Sequence, residues 1–474
     1  MSTIKFGTDG WRDIIADKFT FANVRIVAQG MASFINNHQL AKRGVVIGYD
    51  NRFLSDEFAW AIANVMAGNG IKVFMPDKAY PTPVVAYAVR AYNAAGAVMV
   101  TASHNPANYN GMKFIPEYAG PALPDITDQI EKEIARVTEN GKIYELSKEE
   151  ATKLGLILNL EIEDKYIKQL QQVVNLDKFK DNPLKVVVDP MYGAGIGYLE
   201  KALGAAGCQV TVLHGHRDPL FGGGMPEPTD QILGELKSAV IENGAALGLA
   251  LDGDADRFGI VDDQGKFLTP NQILFLLLRH LLSTRTFRGP VARTLATTHM
   301  LDRVAAASGL GIIETPVGFK YIGECMREKG CILGGEESGG LTILGHVPEK
   351  DGILAGLLVA EMVADSKKKL SDILIDFEAQ FGHIESQRLD IHYNIKDKER
   401  VMALMKEYRP RHVAGQEVDS VSELEGKKVR LDDGSWFLIR ASGTEPLFRL
   451  YVEAGSIGMV QAIQHEVKEA LGLK

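Results

Sequence analysis

The stretch Thr101-Ala102-Ser103-His104-Asn105-Pro106 directly follows the apolar run Gly96–Val100. The run predicts a buried strand, which must stop here because Pro106 has no N–H for a β-ladder and disfavours helix at Asn105. A strand that ends in this way presents the hydroxyl of Ser103 at its carboxyl end. Ser103 is therefore a candidate nucleophile, although a serine before Asn-Pro is also an ordinary turn former.

The composition is that of a globular chain with several domains. Its 474 residues suggest three or four units. No apolar run reaches about eighteen residues, and the start, MSTIKFGTDGWR, has no apolar signal core, so we expect a cytoplasmic protein without a membrane partner. Cys208, Cys325 and Cys331 have no CxxC spacing, which indicates neither a zinc site nor a disulfide framework.

The net charge of −9 argues against a general nucleic-acid binder, because phosphate backbones favour basic faces. An anionic small-molecule ligand would then need arginine and lysine side chains that are clustered locally.

A pattern of strands alternating with helices occurs three times along the chain. It predicts α/β layers with helices on both faces and functional loops at the carboxyl ends of the strands. The third apolar strand of each unit leads into a polar loop, at Ser103, at Asp252 and at Glu336. The remainder changes character, because residues 429–439 have the pattern of a hairpin. The fourth unit is therefore predicted to be α+β.

The loop Asp252-Gly253-Asp254-Ala255-Asp256-Arg257 carries three carboxylates at alternate positions. They can converge on one hard cation if the backbone coils around it. A calcium EF-hand is excluded, because that loop requires Gly and Glu where this chain has Arg257 and Asp263. A solvated acidic turn stays open as the alternative. Mg²⁺ suits the site better than zinc, which prefers His and Cys.

Two further loops have residues suited to a sugar phosphate. Gly335-Glu336-Glu337-Ser338-Gly339 offers acceptors and a hydroxyl for sugar hydroxyls, although such residues are common in loops. The backbone N–H groups and hydroxyls of Arg440-Ala441-Ser442-Gly443-Thr444-Glu445-Pro446 can cradle a phosphate, with a bidentate contact from Arg440. A solvated hairpin loop is the alternative there.

The motifs together resemble those of the α-D-phosphohexomutases, the family that includes phosphoglucomutase and phosphomannomutase. In chain order they are TASHNP with Asn110-Gly111-Met112-Lys113, DGDADR from Asp252, GEESG from Gly335 and RASGTEP from Arg440. The resemblance covers the whole chain, and four specific motifs in the right order argue against chance agreement.

The resemblance implies a role for each matched residue. Ser103 resembles the serine that is phosphorylated in the active form, and its phosphate would complete a site for one Mg²⁺ formed by Asp252, Asp254 and Asp256. Lys113 resembles the proposed general base, which requires a depressed pKa. The other expected site residues are the active-site arginines Arg12 and Arg257, His104 beside the nucleophile, the sugar contacts Glu336 and Ser338, the phosphate or sugar contact Lys320, and Arg440, Ser442, Gly443, Thr444 and Arg449 around the substrate phosphate. For His104, a contact with phosphoryl oxygens and a local hydrogen bond both stay open.

The implied fold is α/β, with three tandem α/β domains that have mixed sheets and a smaller α+β C-terminal domain around a central cleft. The expected domains are residues 1–155 with the phosphoserine loop, 156–256 with the metal loop, 257–370 with the sugar-binding loop and 371–474 with the phosphate-binding loop. The implied activity interconverts hexose 1-phosphate and hexose 6-phosphate, with glucose 1,6-bisphosphate as intermediate and activator. Both a monomer and a homodimer stay open.

The identity of the sugar depends on few residues. Glu336-Glu337-Ser338 resembles the glucose and mannose phosphate enzymes, whereas the phosphoglucosamine branch usually has Gln at the position of Glu337. We therefore expect a phosphoglucomutase, with phosphomannomutase activity also open and phosphoglucosamine mutase as the alternative. Gly340 departs from the family pattern, since many members carry His there, and one common ligand contact is left unaccounted for.

Two other functional classes fit less well. Gly193-Ala194-Gly195-Ile196-Gly197 suggests a dinucleotide oxidoreductase, but the full fingerprint requires glycine at the position of Tyr198. A sugar-phosphate-binding protein that has the fold without the chemistry is disfavoured, because Ser103, Lys113 and all three aspartates are intact.

Overall fold

The computed structural model of the protein describes residues 4–7, 10–393, 398–442 and 447–473, which form four β-sheets with flanking helices. The first three sheets contain both parallel and antiparallel strand pairs. The described strands of the fourth sheet pair only in the antiparallel sense. The predicted class, three α/β domains with mixed sheets followed by an α+β domain, is confirmed.

The first sheet has six strands, β1 (Trp11–Ile14), β2 (Val45–Tyr49), β3 (Val73–Met75), β4 (Gly96–Val100), β5 (Tyr109–Pro116) and β6 (Ile157–Asn159). They lie in the order β1-β5-β4-β2-β3-β6. The helices of this layer are α1 (Phe21–Asn37), α2 (Ser55–Gly68), α3 (Thr82–Tyr92), α4 (Pro124–Asn140) and α5 (Lys148–Lys153).

The second sheet has five strands, β7 (Lys185–Asp189), β8 (Gln209–Val212), β9 (Leu247–Leu251), β10 (Phe258–Asp262) and β11 (Phe267–Leu268). Their order is β11-β10-β9-β7-β8. The accompanying helices are α6 (Glu163–Val173), α7 (Lys178–Asp181), α8 (Tyr198–Ala205) and α9 (Gly234–Asn243).

The third sheet has four strands, β12 (Val291–Thr294), β13 (Ile312–Thr315), β14 (Leu333–Glu336) and β15 (Gly340–Ile343), in the order β13-β12-β14-β15. Its helices are α10 (Pro270–Thr284), α11 (Met300–Ala307), α12 (Phe319–Lys329), α13 (Gly352–Ser366) and α14 (Leu370–Phe381).

The fourth sheet has six strands, β16 (Glu385–His392), β17 (His412–Val413), β18 (Gln416–Ser422), β19 (Lys427–Leu431), β20 (Trp436–Ala441) and β21 (Leu447–Ala454). Their order is β16-β21-β20-β19-β18-β17, and the helices are α15 (Lys398–Glu407) and α16 (Ile457–Ala470). The expected hairpin is the antiparallel pair β19 and β20.

Strand pairing differs from the expected domain limits in two places. β10 returns antiparallel beside β9, with Phe258 opposite Leu251, so residue 256 lies between two neighbouring strands of one sheet. β6 pairs in parallel with β3, so the first sheet extends beyond residue 155. A local sequence pattern predicts a strand but does not specify its partner, so the sequence alone does not show to which sheet β6 and β10 belong.

The strands that lead to the predicted site are buried in the middle of their layers. Every residue of β4 and of β9 is buried, as expected for strands whose two faces are both covered by helices. Almost all of α13 is buried as well, and it packs against α8 and β9 of the second layer and against α10 and β15 of the third. The second and third layers therefore share one hydrophobic core.

The fourth domain meets the third through a small apolar cluster of Leu295, Ala296, Trp436, Leu438 and Tyr451. Among the described helices, none combines the length and the apolar character that crossing a membrane requires.

Candidate active site

Ser103 lies in the turn that follows β4 and is almost completely buried. Its φ of 53° is in the left-handed region, which is uncommon for residues other than glycine and is enriched at functional sites. The Ser103 hydroxyl donates to Asp252 Oδ2 at 3.0 Å and lies 3.2 Å from Nδ1 of His104. The candidate nucleophile is thus in direct contact with the first of the three aspartates.

The loop after β9 brings the three predicted metal ligands together. Asp252, Asp254 and Asp256 are completely buried, and one carboxylate oxygen of each lies within 4.8 Å of the others. The hydroxyl of Thr82 donates to Asp254 Oδ2 at 2.6 Å. The second oxygens, Oδ1 of Asp254 and Oδ1 of Asp256, have no hydrogen-bond partner among the described residues. Oδ1 of Asp256 also lies 4.0 Å from Nε of Arg257. Buried carboxylate oxygens without hydrogen bonds, next to a third carboxylate, suit a hard cation such as Mg²⁺.

Two buried lysines face these carboxylates. Lys113 Nζ donates to Asp254 Oδ2 at 2.9 Å and to Asp256 Oδ2 at 3.1 Å, and Lys350 Nζ lies 2.9 Å from Asp256 Oδ2. Burial by itself would raise the pKa of Asp256, but the ammonium groups of Lys350 and Lys113 and the guanidinium of Arg257 outweigh burial and lower that pKa below its usual range. Asp256 is therefore ionised at neutral pH.

Asp252 has the opposite electrostatic environment. Burial, followed by the charges of Asp254 and Asp256, raises the pKa of Asp252 well above its usual range. A nearby cation favours the charged form of a carboxylate. A divalent cation at this site would therefore lower the pKa of Asp252 and allow all three carboxylates to be charged together.

His104 and two arginines lie close to Ser103. Burial, and then the charges of Arg257 and Arg12, lower the pKa of His104 well below its usual value, so the ring is neutral at neutral pH. Arg12 donates from a guanidinium nitrogen to Asn105 Oδ1 at 2.8 Å. The backbone N–H of Arg257 donates to Asp252 Oδ1 at 3.0 Å. These predicted residues therefore belong to the same group as Ser103 and the aspartates.

The predicted sugar contacts lie at the turn between β14 and β15. Glu336 is buried, and its Oε1 accepts a hydrogen bond from the Ser338 hydroxyl at 2.6 Å. Burial and the charge of Glu337 raise the pKa of Glu336. The N–H of Phe258 donates to the carbonyl of Gly339 at 3.3 Å, which joins this turn to the strand that follows the aspartate loop.

Lys320 is placed apart from the aspartates. It lies in the first turn of α12, and its ammonium is 5.4 Å from the ring centroid of Tyr321. In the described part of the chain, no ion pair joins it to the aspartates, so a role for Lys320 stays a prediction.

The predicted phosphate loop follows β20. Arg440 forms an ion pair with Oε1 of Glu425, and Oε2 of Glu425 accepts a hydrogen bond from the Val317 N–H at 2.7 Å. Glu425 therefore joins the predicted phosphate-binding arginine to a loop of the third domain. Arg449 lies opposite Arg440 in the pair of β20 and β21.

The rest of this loop is described only in part. The Ser442 N–H donates to the Leu447 carbonyl at 2.9 Å. Gly443 and Thr444 lie outside the described residues, so the phosphate contacts expected of them stay predictions.

Sequence reasoning missed Lys350. It lies directly before Asp351, whose carboxylate caps α13 by accepting from the Leu354 N–H at 2.8 Å. The cap signal Asp-Gly before an apolar run indicates where α13 begins. A lysine next to that cap would still be interpreted as a surface residue, because only the tertiary fold brings it to Asp256.

Comparison with known proteins covers the chain from end to end. Residues 3–141, 164–265 and 269–381 match the family models of phosphoglucomutase/phosphomannomutase alpha/beta/alpha domains I, II and III, and residues 394–470 match that of the C-terminal domain.

Individual relatives are similar over nearly their whole length. A protein of Methanothermobacter thermautotrophicus named "probable phosphoglucosamine mutase" is 32% identical over 94% of this chain and 93% of its own. A "phosphoglucomutase/phosphomannomutase" of Thermococcus kodakarensis is 30% identical over 95% and 94%. A crystal structure of a "putative phosphomannomutase" from Thermus thermophilus has a TM-score of 0.85 and 33% identity, with 99% of each chain covered.

Proposed function

The chain belongs to the phosphoglucomutase/phosphomannomutase family and is an intramolecular phosphotransferase, and we propose that it interconverts hexose 1-phosphates and hexose 6-phosphates through a phosphorylated Ser103. The observation that carries this proposal is the 3.0 Å contact between the Ser103 hydroxyl and a carboxylate of the buried aspartate group. A buried serine next to converging carboxylates and two lysines is an arrangement suited to phosphoryl transfer by positioning and electrostatics.

In the proposed cycle, a hydroxyl oxygen of the bound hexose phosphate attacks the phosphorus on Ser103. The new O–P bond forms, the bond from phosphorus to Ser103 Oγ breaks, and hexose 1,6-bisphosphate results. The bisphosphate then turns round, and Ser103 Oγ takes the phosphoryl group from its other end. Lys113 in its neutral form is the proposed acceptor of the proton from the attacking hydroxyl. The ammonium that it becomes then gives this proton to Ser103 Oγ as the bond to phosphorus breaks, so the first step ends with a serine hydroxyl and a neutral lysine.

Asp252, Asp254 and Asp256 are the proposed ligands of Mg²⁺, supported by their burial, their mutual distances and the unpartnered oxygens. When bound there, the ion would neutralise charge on the transferring phosphoryl group. Lys350, and Lys113 whenever it is protonated, offset part of the negative charge of the aspartates on the side of Asp256.

Glucose and mannose phosphates are the proposed substrates, with Glu336 and Ser338 holding sugar hydroxyls. The support is the acidic pair Glu336-Glu337, which resembles the glucose and mannose enzymes. Phosphoglucosamine mutase is the second candidate, because relatives with that name match at 30% to 32% identity over almost the whole chain. At the other end of the substrate, Arg440 and Arg449 are the proposed phosphate contacts.

The test mixes the protein with Mg²⁺, glucose 1-phosphate and a trace of glucose 1,6-bisphosphate and follows glucose 6-phosphate. We expect turnover by wild type, one added phosphoryl group in its intact mass, and neither for Ser103→Ala. Full turnover by Ser103→Ala would overturn the role of the serine. Mannose 1-phosphate and glucosamine 1-phosphate in the same assay decide among the sugars, and the absence of turnover with all three would overturn the proposed activity.

A further inference from the structure

Arg52 holds the loop that carries Ser103. Its side chain is completely buried, although an arginine is rarely so. The guanidinium donates to four backbone carbonyls of one short segment: Ser103 at 2.6 Å, Asn105 at 2.7 Å, Pro106 at 2.8 Å and Tyr109 at 3.1 Å. Three of these carbonyls belong to the turn between β4 and β5, and the fourth, that of Tyr109, belongs to the first residue of β5, so one side chain bonds to the backbone along the whole turn.

A second set of contacts reaches Ser103 from its amino side. Asp50 forms a buried ion pair with Arg52 at 3.2 Å and accepts a hydrogen bond from the Thr101 hydroxyl at 2.6 Å. Thr101 Oγ1 in turn accepts from the Ser103 N–H at 2.8 Å. Both peptide groups of Ser103 are therefore held by one connected network, which begins and ends at the Arg52–Asp50 pair.

This network explains how Ser103 keeps its left-handed backbone. A φ of 53° is strained for a residue that is not glycine, and it persists only when surrounding contacts fix it. An arginine is suited to this task because its planar group has five N–H donors in fixed directions. A lysine has three donors on a flexible stem and cannot reproduce this set of bonds.

We infer that Arg52 is a positioning residue for phosphoryl transfer, which aims the Ser103 oxygen at the aspartate group by clamping the backbone on both sides of it. The inference rests on the proposed function of Ser103. Arg52 itself contacts backbone carbonyls, Asp50 and the ring of Phe221, whose centroid is 5.0 Å away. None of these is a reacting group, so its effect is on the placement of the reacting oxygen. A displacement of about 1 Å at a reacting atom is enough to cost about 100-fold in rate.

The decisive variant is Arg52→Lys, which retains the positive charge beside Asp50 but lacks the planar guanidinium and its five N–H donors. We expect kcat to fall by about 100-fold, with KM for glucose 1-phosphate within about threefold of wild type, because substrate binding uses other residues. The single-turnover phosphorylation of Ser103 by glucose 1,6-bisphosphate, followed by intact mass, should slow by the same factor.

The matched control is Arg285→Lys. Arg285 also joins a buried carboxylate, that of Glu361, to a backbone carbonyl, that of Val173, but it lies outside the Ser103 network. We expect this control to lose thermal stability and to retain kcat and Ser103 phosphorylation. If Arg52→Lys retains kcat as well, the inference is wrong.

Two further measurements keep the test decisive. If Arg52→Lys does not fold, Thr101→Val removes the other end of the network with little change in shape, and a wild-type kcat in that variant would overturn the inference. Hydrogen exchange of residues 101–111 is expected to be faster in either variant than in wild type. Hydrogen exchange needs no substrate. Unchanged exchange would therefore show that Arg52 does not fix the backbone around Ser103, even if the wild type proved inactive and the proposed function failed.

Discussion

The side chain of Lys350 occupies the space that any side chain at Gly340 would need. A Cβ on Gly340 would lie 2.6 Å from Cδ and 2.7 Å from Cγ of Lys350, closer than real Cβ contacts come. From there the ammonium reaches Asp256 Oδ2 at 2.9 Å. A histidine at position 340 would therefore have to displace the side chain of Lys350.

Gly340→His is therefore expected to displace Lys350 and to lower kcat/KM for glucose 1-phosphate by about tenfold or more, since Asp256 loses one of its cations. The clash should also lower the melting temperature. The double variant Gly340→His with Lys350→Ala should recover the melting temperature but not the activity, because the histidine then has room. Wild-type activity in Gly340→His would show that Lys350 is not needed at Asp256.

Saturating Mg²⁺ should raise the melting temperature of wild type by a few degrees, because a ligand that binds only the folded state stabilises it. Asp254→Asn should abolish most of this shift, since Oδ1 of Asp254 is one of the two unpartnered carboxylate oxygens. Asp189→Asn is the control, because Asp189 is a buried aspartate that interacts with Met191 and His214 instead. The proposed metal site would be refuted by equal Mg²⁺ shifts in all three proteins, measured by differential scanning fluorimetry.

Glu425→Gln should raise KM for glucose 1-phosphate by about tenfold with kcat changed less than about threefold, because the neutral amide no longer anchors the Arg440 guanidinium beside the third domain. Steady-state kinetics gives both constants. Glu423→Gln serves as the control, since its carboxylate is half exposed and pairs with Arg409 and Lys427 instead of Arg440. A loss of kcat at unchanged KM would mean that Glu425 does not act through substrate binding.

The fold was predictable where local pattern decides it. The runs that form β4 and β9 are continuous and apolar, and such runs predict buried strands that end at functional loops. The membership of β10 in the second sheet was not predictable, because the choice of a strand partner depends on contacts far along the chain.

The candidate site was also predictable only in part. Ser103 and Asp252 were expected to meet because the resemblance to the α-D-phosphohexomutases implies it, and they do. Arg52 and Lys350 could not be assigned roles, since an Asp-x-Arg turn and a lysine before a helix cap both resemble surface features. Their importance comes from burial and from partners that the sequence separates from them by about fifty residues or more.

The buried Lys428 should make the folding stability of the protein depend on pH. It is buried between the third and fourth domains and donates to the Leu295 carbonyl and to Glu314. Burial, and then the charge of Arg293, lower the pKa of Lys428 from 10.5 to about 8. Between these two values the unfolded chain holds the proton and the folded chain releases it, so the contribution of Lys428 to stability rises with pH across this window, by up to about 3 kcal/mol. The melting temperature of Lys428→Met relative to wild type should therefore be highest at pH 7 and fall from pH 8 to 10, and the exposed-site variant Lys132→Met is the control for removing a lysine. A constant difference for Lys428→Met would rule out the lowered pKa.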